Sequence, residues 1–368
     1  MTLRIGIVGL GNCASALVQG VHYYANQPDS SAAPGLVRPV IGGYKVSDIE
    51  FAVAYDVDLR KIGWSIKQAI FNGTNCCMNL SPNVVLDESG RFDGPVLEAP
   101  ILDGVAPHMR AADPSDKERF FTNTTSVGAD VMHHAESLKT HRVDVLVNYL
   151  PVGSQLATEY WAQVCLMARV PMVNCIPVFI ASNVEWSERF RANKVAIIGD
   201  DMKSQFGASV LSQAIQELAE ARGHGVKVHI QQNSGGNTDF LNMADHSRLA
   251  SKKISKENVI RDHGSAPGYL HAGPSDYIRA FGDKKVAHFR VELEGFCGSP
   301  VILDARLEVQ DSPNSAGVVI DAVRYVRTAQ NNGIYGALEG PSAFTQKSPP
   351  VAMTMADAIE ACNNIANL

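Results

Sequence analysis

The sequence predicts an α/β protein in which a doubly wound parallel sheet is joined to a second, α+β domain carrying a mostly antiparallel sheet. Three observations predict this. Short apolar runs alternate with helical patterns over roughly the first two hundred residues, the signature of strands wound by helices. The earliest run passes straight into a glycine-broken turn and then a helix. After Gly223 the period changes: Val286 to Glu294 and Val301 to Val309 alternate apolar with polar residues, as strands with one buried face do.

Leu3 to Val8 is the first strand. It meets Gly9-Leu10-Gly11-Asn12-Cys13-Ala14-Ser15, followed by a helix with Leu17, Val21 and Tyr24 on one face. Strand, Gly-x-Gly-x-x-Ala and helix together form the dinucleotide-binding fingerprint of Rossmann sheets. Gly9 makes the tight turn, Gly11 lets the backbone approach a pyrophosphate, and Ala14 permits close helix–strand packing. Unpaired N–H groups of the helix start, at Asn12 and Cys13, favour an anion. A plain glycine turn joining any βα unit is the competing reading.

An acidic residue should end the second strand and hold a ribose. Phe51 to Asp56 fits, although the separation from Gly9 exceeds the usual ~20 residues. The excess is a Ser-, Pro- and Gly-rich insertion between about Tyr23 and Asp48. Asp56 would repel a 2′-phosphate, which favours NAD over NADP; Arg60 nearby argues the other way. Residues 72–130 show little period beyond a short strand expected at Val84 to Leu86, and read as a lid or a disordered loop.

Val143 to Tyr149 and Val170 to Asn174 are further buried strands, and a helix runs from Asn183 to Ala192. The strand from Val195 to Ile198 leads to Gly199-Asp200-Asp201-Met202-Lys203-Ser204-Gln205-Phe206-Gly207. A helix is expected there with Phe206, Leu211, Ile215 and Leu218 on its buried face and Gly223 as its stop. Ligands of open α/β sheets bind at the carboxyl ends of the strands. Asn148, Pro151, Ser154, Asn174, Pro177, Asp200, Asp201 and Lys203 are therefore candidate cofactor contacts. Asp201 as a simple helix cap is the plainer alternative.

In the second domain, Val226 to Gln231 is a strand followed by the polar loop Asn233 to Asp239. Lys252 and Lys256 stand four apart, on one face if helical. Lys285 opens the hairpin that Gly295 to Pro300 closes, and Lys347 lies in Gln346-Lys347-Ser348-Pro349-Pro350. Asp311 to Gly317 starts a helix with Val319, Val323 and Val326 on one face, expected to pack back on the first domain. Each lysine alone is most simply a solvated charge. Beside a nicotinamide domain, together, they suit a phosphorylated substrate that forms carbonyl and enolate oxygens.

Other classes find little support. A net charge of -6 gives no reason to expect nucleic acid or an anionic membrane surface, and no apolar run approaches the ~20 residues of a span. The start of the chain lacks the pattern of a signal peptide, and seven irregularly spaced cysteines suggest reduced thiols in a cytoplasm. His133 and His134 are adjacent rather than spaced as helical ligands, and are expected on a helix surface.

From end to end the chain resembles the myo-inositol-1-phosphate synthase family in its short prokaryotic form. The matching stretches are GLGNCAS, YLPVGS, NCIP, GDDMKSQFG, NSGGNTDFLNM, SKKISK, GPSDYI, DSPNSAGVVIDA and QKSPP. The resemblance implies NAD, bound and recycled, and glucose 6-phosphate as substrate. Oxidation at C5, enolisation, aldol ring closure and reduction would yield 1L-myo-inositol 1-phosphate. It implies active-site lysines at Lys252, Lys256, Lys285 and Lys347. Lys256 and Lys347 would serve proton transfer and oxyanion binding, and Lys252 and Lys285 the oxygens at C5 and C1. It implies orienting acids at Asp201, Asp239 and Asp311, and substrate contacts at Asn233, Gly236, Asn237 and Ser275. A homotetramer formed through the second sheet is expected, and a divalent or monovalent cation is left open. The expected division is 1–199 plus 312–368 for the cofactor and 200–311 for catalysis and oligomerisation. The competing readings are an NAD-dependent dehydrogenase of a small phosphorylated or amino-acid-derived substrate, and a divergent synthase paralogue.

Overall fold

The computed structural model describes residues 1–27, 34–123, 127–245, 250–262 and 267–368; the side chains of 250–252 and 274–275 lie outside the description. The chain begins with β1 (Leu3–Val8), α1 (Asn12–Ala25), a small hairpin β2 (Val40–Ile41) and β3 (Tyr44–Lys45), and β4 (Ile49–Asp56). α2 (Ile66–Ala69), β5 (Val96–Glu98), α3 (Val131–Thr140), β6 (Val145–Asn148) and α4 (Gln155–Ala168) follow. Next are β7 (Met172–Asn174), α5 (Val184–Ala192), β8 (Ala196–Ile198) and α6 (Ala208–Ala221). β9 (Gly225–Gly235), α7 (Thr238–Asn242), α8 (Ala250–Arg261), β10 (Tyr269–Tyr277), β11 (Lys284–Glu294) and β12 (Pro300–Gln310) form the second sheet and its helices. The chain then returns through α9 (Asp311–Asn331), β13 (Gly336–Ala337), α10 (Glu339–Thr345) and α11 (Met355–Ala366).

The first sheet has seven parallel strands in the order β13-β8-β7-β6-β1-β4-β5. Its central strands are apolar on both faces, because helices cover both: β6 is buried throughout, and β4 at all but Glu50. From β1 the chain moves outward to β4, then returns to the other side of β1 as β6. That reversal opens a crevice between the carboxyl ends of β1 and β6, the usual ligand position in such sheets. α9 packs against α1 and the β6–β8 strands, with Val319, Ile320, Val323 and Val326 fully buried.

The second sheet runs β10-β9-β11-β12, with β10–β9 parallel and the other two pairings antiparallel. The expected hairpin is present and in register from Lys284↔Gln310 to Glu294↔Pro300. α6 and α8 cover one face, while Val301, Ile302 and Leu303 on the edge strand β12 stay exposed.

Several local expectations are corrected. Val84 to Leu86 is not a strand: Pro82 starts a 3₁₀ turn, Pro82–Leu86, whose Val84 packs into the core. The 72–130 stretch supplies β5 and a small cluster of Ile101, Val105, Ala106 and Met109 rather than being a bare loop. Asn233 to Gly235 belongs to β9 instead of to the loop after it. His134 is buried against Tyr160, whose hydroxyl is 2.7 Å from Nδ1, and only His133 is on the surface. On α6 the expected apolar face is only partly the buried one: Leu211 and Ile215 pack against the second sheet, but Leu218 and the preceding Phe206 are exposed, and Ser212, Gln213 and Gln216 turn inward.

Candidate active site

The glycine turn stands at the crevice. Gly9 has φ +83°, and a Cβ there would lie 2.6 Å from the Tyr149 carbonyl oxygen at the end of β6. A Cβ on Gly11 would meet nothing, so the backbone is open to a ligand at that point. Gly11 is the N-cap of α1 and no side chain caps the helix. Asn12 instead accepts hydrogen bonds from the Cys76 and Cys77 amides at 2.7 and 3.2 Å. Ala14 is fully buried. An uncapped helix start beside open backbone fits the pyrophosphate of a dinucleotide. Asp56 sits below the turn: its carboxylate accepts from the amides of Leu10 (2.7 Å), Val57 (2.8 Å) and Asp58 (2.9 Å). The buried Lys61 donates to the Leu10 carbonyl at 2.8 Å. Arg60 pairs with Asp58 and not with Asp56.

Three expected cofactor contacts form a buried brace behind the crevice. Asn148 Nδ2 donates to Asn174 Oδ1 (2.9 Å), and Asn174 Nδ2 donates to Asp200 Oδ1 (2.7 Å). Asp200 also accepts from the amides of Ile180, Ala181 and Ser182 and from the Ser182 hydroxyl. Burial pushes the Asp200 carboxyl up to about 6. None of the three faces the cleft; they tie together the carboxyl ends of β6, β7 and β8. Ser154 is likewise buried, donating to the Pro151 carbonyl at 2.5 Å. Pro151 and Pro177 do line the cleft. Lys203 turns away from it, donating to Gln213 Oε1 (3.0 Å) and the Ala343 carbonyl (2.8 Å), and burial lowers its amine to about 8.

Asp201 differs from its neighbour Asp200. Its backbone is left-handed, with φ +61°, and is held by Asp201 N to the Ile176 carbonyl and by Lys347 N to the Asp201 carbonyl. A non-glycine residue in this region marks a site whose surroundings over-determine it. The carboxylate accepts from Lys347 Nζ at 2.8 Å and from the Ser255 hydroxyl at 2.7 Å. Ser348 in turn donates to Ser255 at 3.0 Å. Asp201 therefore joins the strand-to-helix corner, α8 and the QKSPP stretch, and it does not cap α6, whose N-cap is Gly207.

On the other wall, Lys285 Nζ is 3.2 Å from Asp311 Oδ1. Asp311 is the first residue of α9, and Asn237 Nδ2 reaches both its Oδ2 (3.4 Å) and Asp283 Oδ1 (3.0 Å). Asp283 is buried and accepts from the Ser312 hydroxyl at 2.8 Å; burial and the nearby Asp311 charge raise it to about 6. Burial, then Asp311 and Asp283, push the Cys13 thiol up to about 12, so it behaves as a neutral wall group. Lys256 and Asp239 line the cleft as well. Gly236 packs so closely that a Cβ would lie 2.4 Å from the Ile278 carbonyl oxygen. Asn233 is buried on β9. The side chains of Lys252 and Ser275 lie outside the described residues.

The cleft is bounded by the glycine turn, Asp201, Lys256, Lys285, Asp311 and Lys347. Ammonium groups in such a setting can bind a phosphoryl group and stabilise charge developing on oxygen. Among the described residues no group of three or more His, Cys, Asp and Glu side chains could hold a metal ion. Sequence reading missed Ser255, Ser348, Asp283 and Gln231. The first two sit inside the SKKISK and QKSPP stretches, and Asp283 is two positions before Lys285, so motif proximity was the available signal.

Comparison with known proteins places these features in context. A family model described as myo-inositol-1-phosphate synthase matches residues 207–312. The chain is 41% identical to the inositol-3-phosphate synthase of Mycolicibacterium smegmatis, over 95% of this chain and 93% of that protein. It is 42% identical to the inositol-3-phosphate synthase of Mycobacterium tuberculosis, over 95% and 91%. Among solved structures, Ari2 matches with 30% identity and a TM-score of 0.74, covering 100% of this chain and 99% of that one. A myo-inositol-1-phosphate synthase-related protein from Thermotoga maritima shares the fold, with a TM-score of 0.80 at 22% identity over 100% and 99%.

Proposed function

Because the chain belongs to the myo-inositol-1-phosphate synthase family, we propose that it converts D-glucose 6-phosphate to 1L-myo-inositol 1-phosphate, an intramolecular ring closure without net oxidation. The observation that carries the reading is the meeting, in one cleft, of the glycine turn with Lys347 on Asp201 and Lys285 on Asp311. NAD is the cofactor that the open Gly11 backbone, the uncapped α1 start and the acidic Asp56 support. When bound, it supplies reversible hydride exchange with the sugar, so that a ketone at C5 exists only between the first and last steps.

The chain's own residues do the rest. Lys347, fixed by Asp201, and Lys256 handle the proton leaving C6 and the charge that then appears on oxygen. Lys285, fixed by Asp311, and Lys252 hold the oxygens at C1 and C5. Asn233, Gly236, Asn237 and Ser275 receive the phosphorylated end, with Asp239 orienting the groups beside it. Fixed ammonium charges of this kind need no reorganisation as charge develops. The partly apolar walls of the cleft limit the access of water to a reactive intermediate.

We adopt 1–199 with 312–368 as the cofactor-binding unit and 200–311 as the catalytic and oligomerisation unit, a division supported by sheet membership. A homotetramer joined through the second sheet is supported by the exposed Val301, Ile302 and Leu303 on β12. A cytoplasmic setting is supported by seven free thiols, and among the described residues no helix is long and apolar enough to cross a membrane.

Incubation with glucose 6-phosphate and catalytic NAD, read by phosphorus NMR, should give an inositol phosphate and no net reduced nicotinamide. Accumulating reduced nicotinamide would favour the dehydrogenase reading. No inositol phosphate, with NAD shown to be bound, would sink the proposal.

A further inference from the structure

Helix α6 meets β9 with polar as well as apolar side chains. Ser212 and Gln216 are buried there beside Leu211 and Ile215, while the apolar Leu218 stays outside. Buried amides and hydroxyls cost free energy unless they are hydrogen-bonded, so this face has to be accounted for bond by bond. On β9, His229, Gln231 and Asn233 follow at alternate positions and so share one side of the sheet.

These residues form a single chain. Gln216 Nε2 is 2.9 Å from His229 Nδ1, and His229 Nε2 is 3.1 Å from Ser212 Oγ. The Ser212 hydroxyl donates to Gln231 Oε1 at 2.9 Å, and Gln231 Nε2 donates to Asn233 Oδ1 at 3.1 Å. An amide nitrogen can only donate. With its Nε2 on the ring and its Oε1 left without a partner among the described residues, Gln216 calls for an unprotonated Nδ1, which leaves the ring proton on Nε2, facing Ser212. The Ser212 oxygen accepts that proton and has its own for Gln231. With its carbonyl so engaged, Gln231 turns its NH₂ to Asn233. Each link inherits its polarity from the one before. Burial lowers the His229 ring to about 4, so the neutral form that this order needs is the one present near neutral pH.

The chain ends on Asn233 with its carbonyl taken and its NH₂ unused. That Nδ2 atom is buried and has no hydrogen-bond partner among the described residues. Asn233 stands between two cleft residues on the same face: Gln231 in its own strand, and Lys285, whose partner on β9 is Gly235.

We propose that Gln216, His229, Ser212 and Gln231 are positioning residues that lock the Asn233 amide with its donor, and not its carbonyl, toward a substrate oxygen. That oxygen belongs either to the phosphoryl group or to the sugar. The identity of the substrate rests on the reading above; the polarity of the chain does not.

Two measurements test it. In the full chain labelled with ¹⁵N-histidine, with the His229 signals assigned by the His229→Asn variant, the ring nitrogens should report the Nε2–H tautomer. The Nδ1–H tautomer would oblige Gln216 to accept and would reverse every link, presenting the Asn233 carbonyl; that result overturns the proposal. In the second, Ser212→Ala cuts the chain away from the cleft and should lower kcat/KM for glucose 6-phosphate about tenfold. A loss confined to KM assigns the oxygen to the phosphoryl group, whose charge is constant. A loss in kcat assigns it to a sugar oxygen whose charge grows in the transition state. Both constants within about twofold of the unsubstituted protein would overturn the proposal, since hydrogen-bond loss of this kind should exceed that. If the unsubstituted protein makes no inositol phosphate, the functional reading falls, while the tautomer still decides the polarity.

Discussion

Two helices close two sheets in this protein with opposite chemistry. α9 lays Val319, Ile320, Val323 and Val326 on the parallel sheet and α1, where any well-packed apolar group of the right size serves. α6 lays Ser212 and Gln216 on the mixed sheet beside the apolar Leu211 and Ile215, and the bonds of these two polar side chains have a direction. Apolar packing is non-directional and contributes stability in proportion to area. Directed polar packing contributes little net stability but allows few alternative arrangements. The contact of α9 is therefore chiefly one of bulk, with the buried Arg324–Asp321 pair set into it, while that of α6 adds orientation to its apolar contacts.

The largest effect that would break or sharpen this contrast is expected at the lysines. Lys347→Ala or Lys285→Ala should lower kcat by about 10²-fold or more, comparable to losing one oxyanion donor, with an unchanged circular dichroism spectrum. Near-normal turnover in a folded variant would remove that lysine from the mechanism. Next comes Asp201→Asn. Asparagine tolerates the left-handed backbone, so the fold should persist, while loss of the charge-assisted bonds to Lys347 and Ser255 should lower kcat about tenfold or more. Equal damage to turnover and melting temperature would make Asp201 a structural residue.

A smaller effect separates the two packings by pH. The folded His229 ring titrates near 4 instead of its ordinary 6.5 because it is buried. Between those values the unfolded chain binds more protons than the folded one. The contribution to stability is then full above about 6.5 and is lost as pH falls through about 4. Its size is on the order of 2 kcal/mol. Urea unfolding at pH 7 and at pH 4.5 should show the loss, and the difference should shrink in His229→Asn. An undiminished difference would detach His229 from acid lability. The smallest effect is expected at Ile320→Val, which should cost about 1 kcal/mol of stability and leave kcat and KM alone. A kinetic change there would blur the division between bulk and orientation.

The same contrast explains what was legible in the sequence. The Gly9–Ala14 turn, the apolar stripe of α9 and the alternation of β11 are local patterns, and each reads out as the expected element. On the buried side of α6 Leu211 and Ile215 were legible, but Ser212, Gln213 and Gln216 were not, because periodicity finds apolar faces and these are polar. Asn148, Asn174 and Asp200 stand at strand ends, where cofactor contacts are expected. Whether a side chain there faces the cleft or its neighbours depends on partners 26 residues away, as for Asn148 with Asn174 and Asn174 with Asp200. Asp283 stands beside Lys285 in the chain, but its partners Ser312 and Asn237 lie 29 and 46 positions away.

The seventh strand of the parallel sheet, β13, has a bearing on biosynthesis. It pairs with β8 through Gly336↔Ala196 and Ala337↔Ile197. Ten residues further on, Lys347 reaches Asp201 across 146 positions of chain. A ribosome delivers the glycine turn first and this lysine near the end, and folding during synthesis proceeds from the first-made part. The glycine turn is therefore made long before Lys347, and full catalytic competence arrives only with the late-made part of the polypeptide.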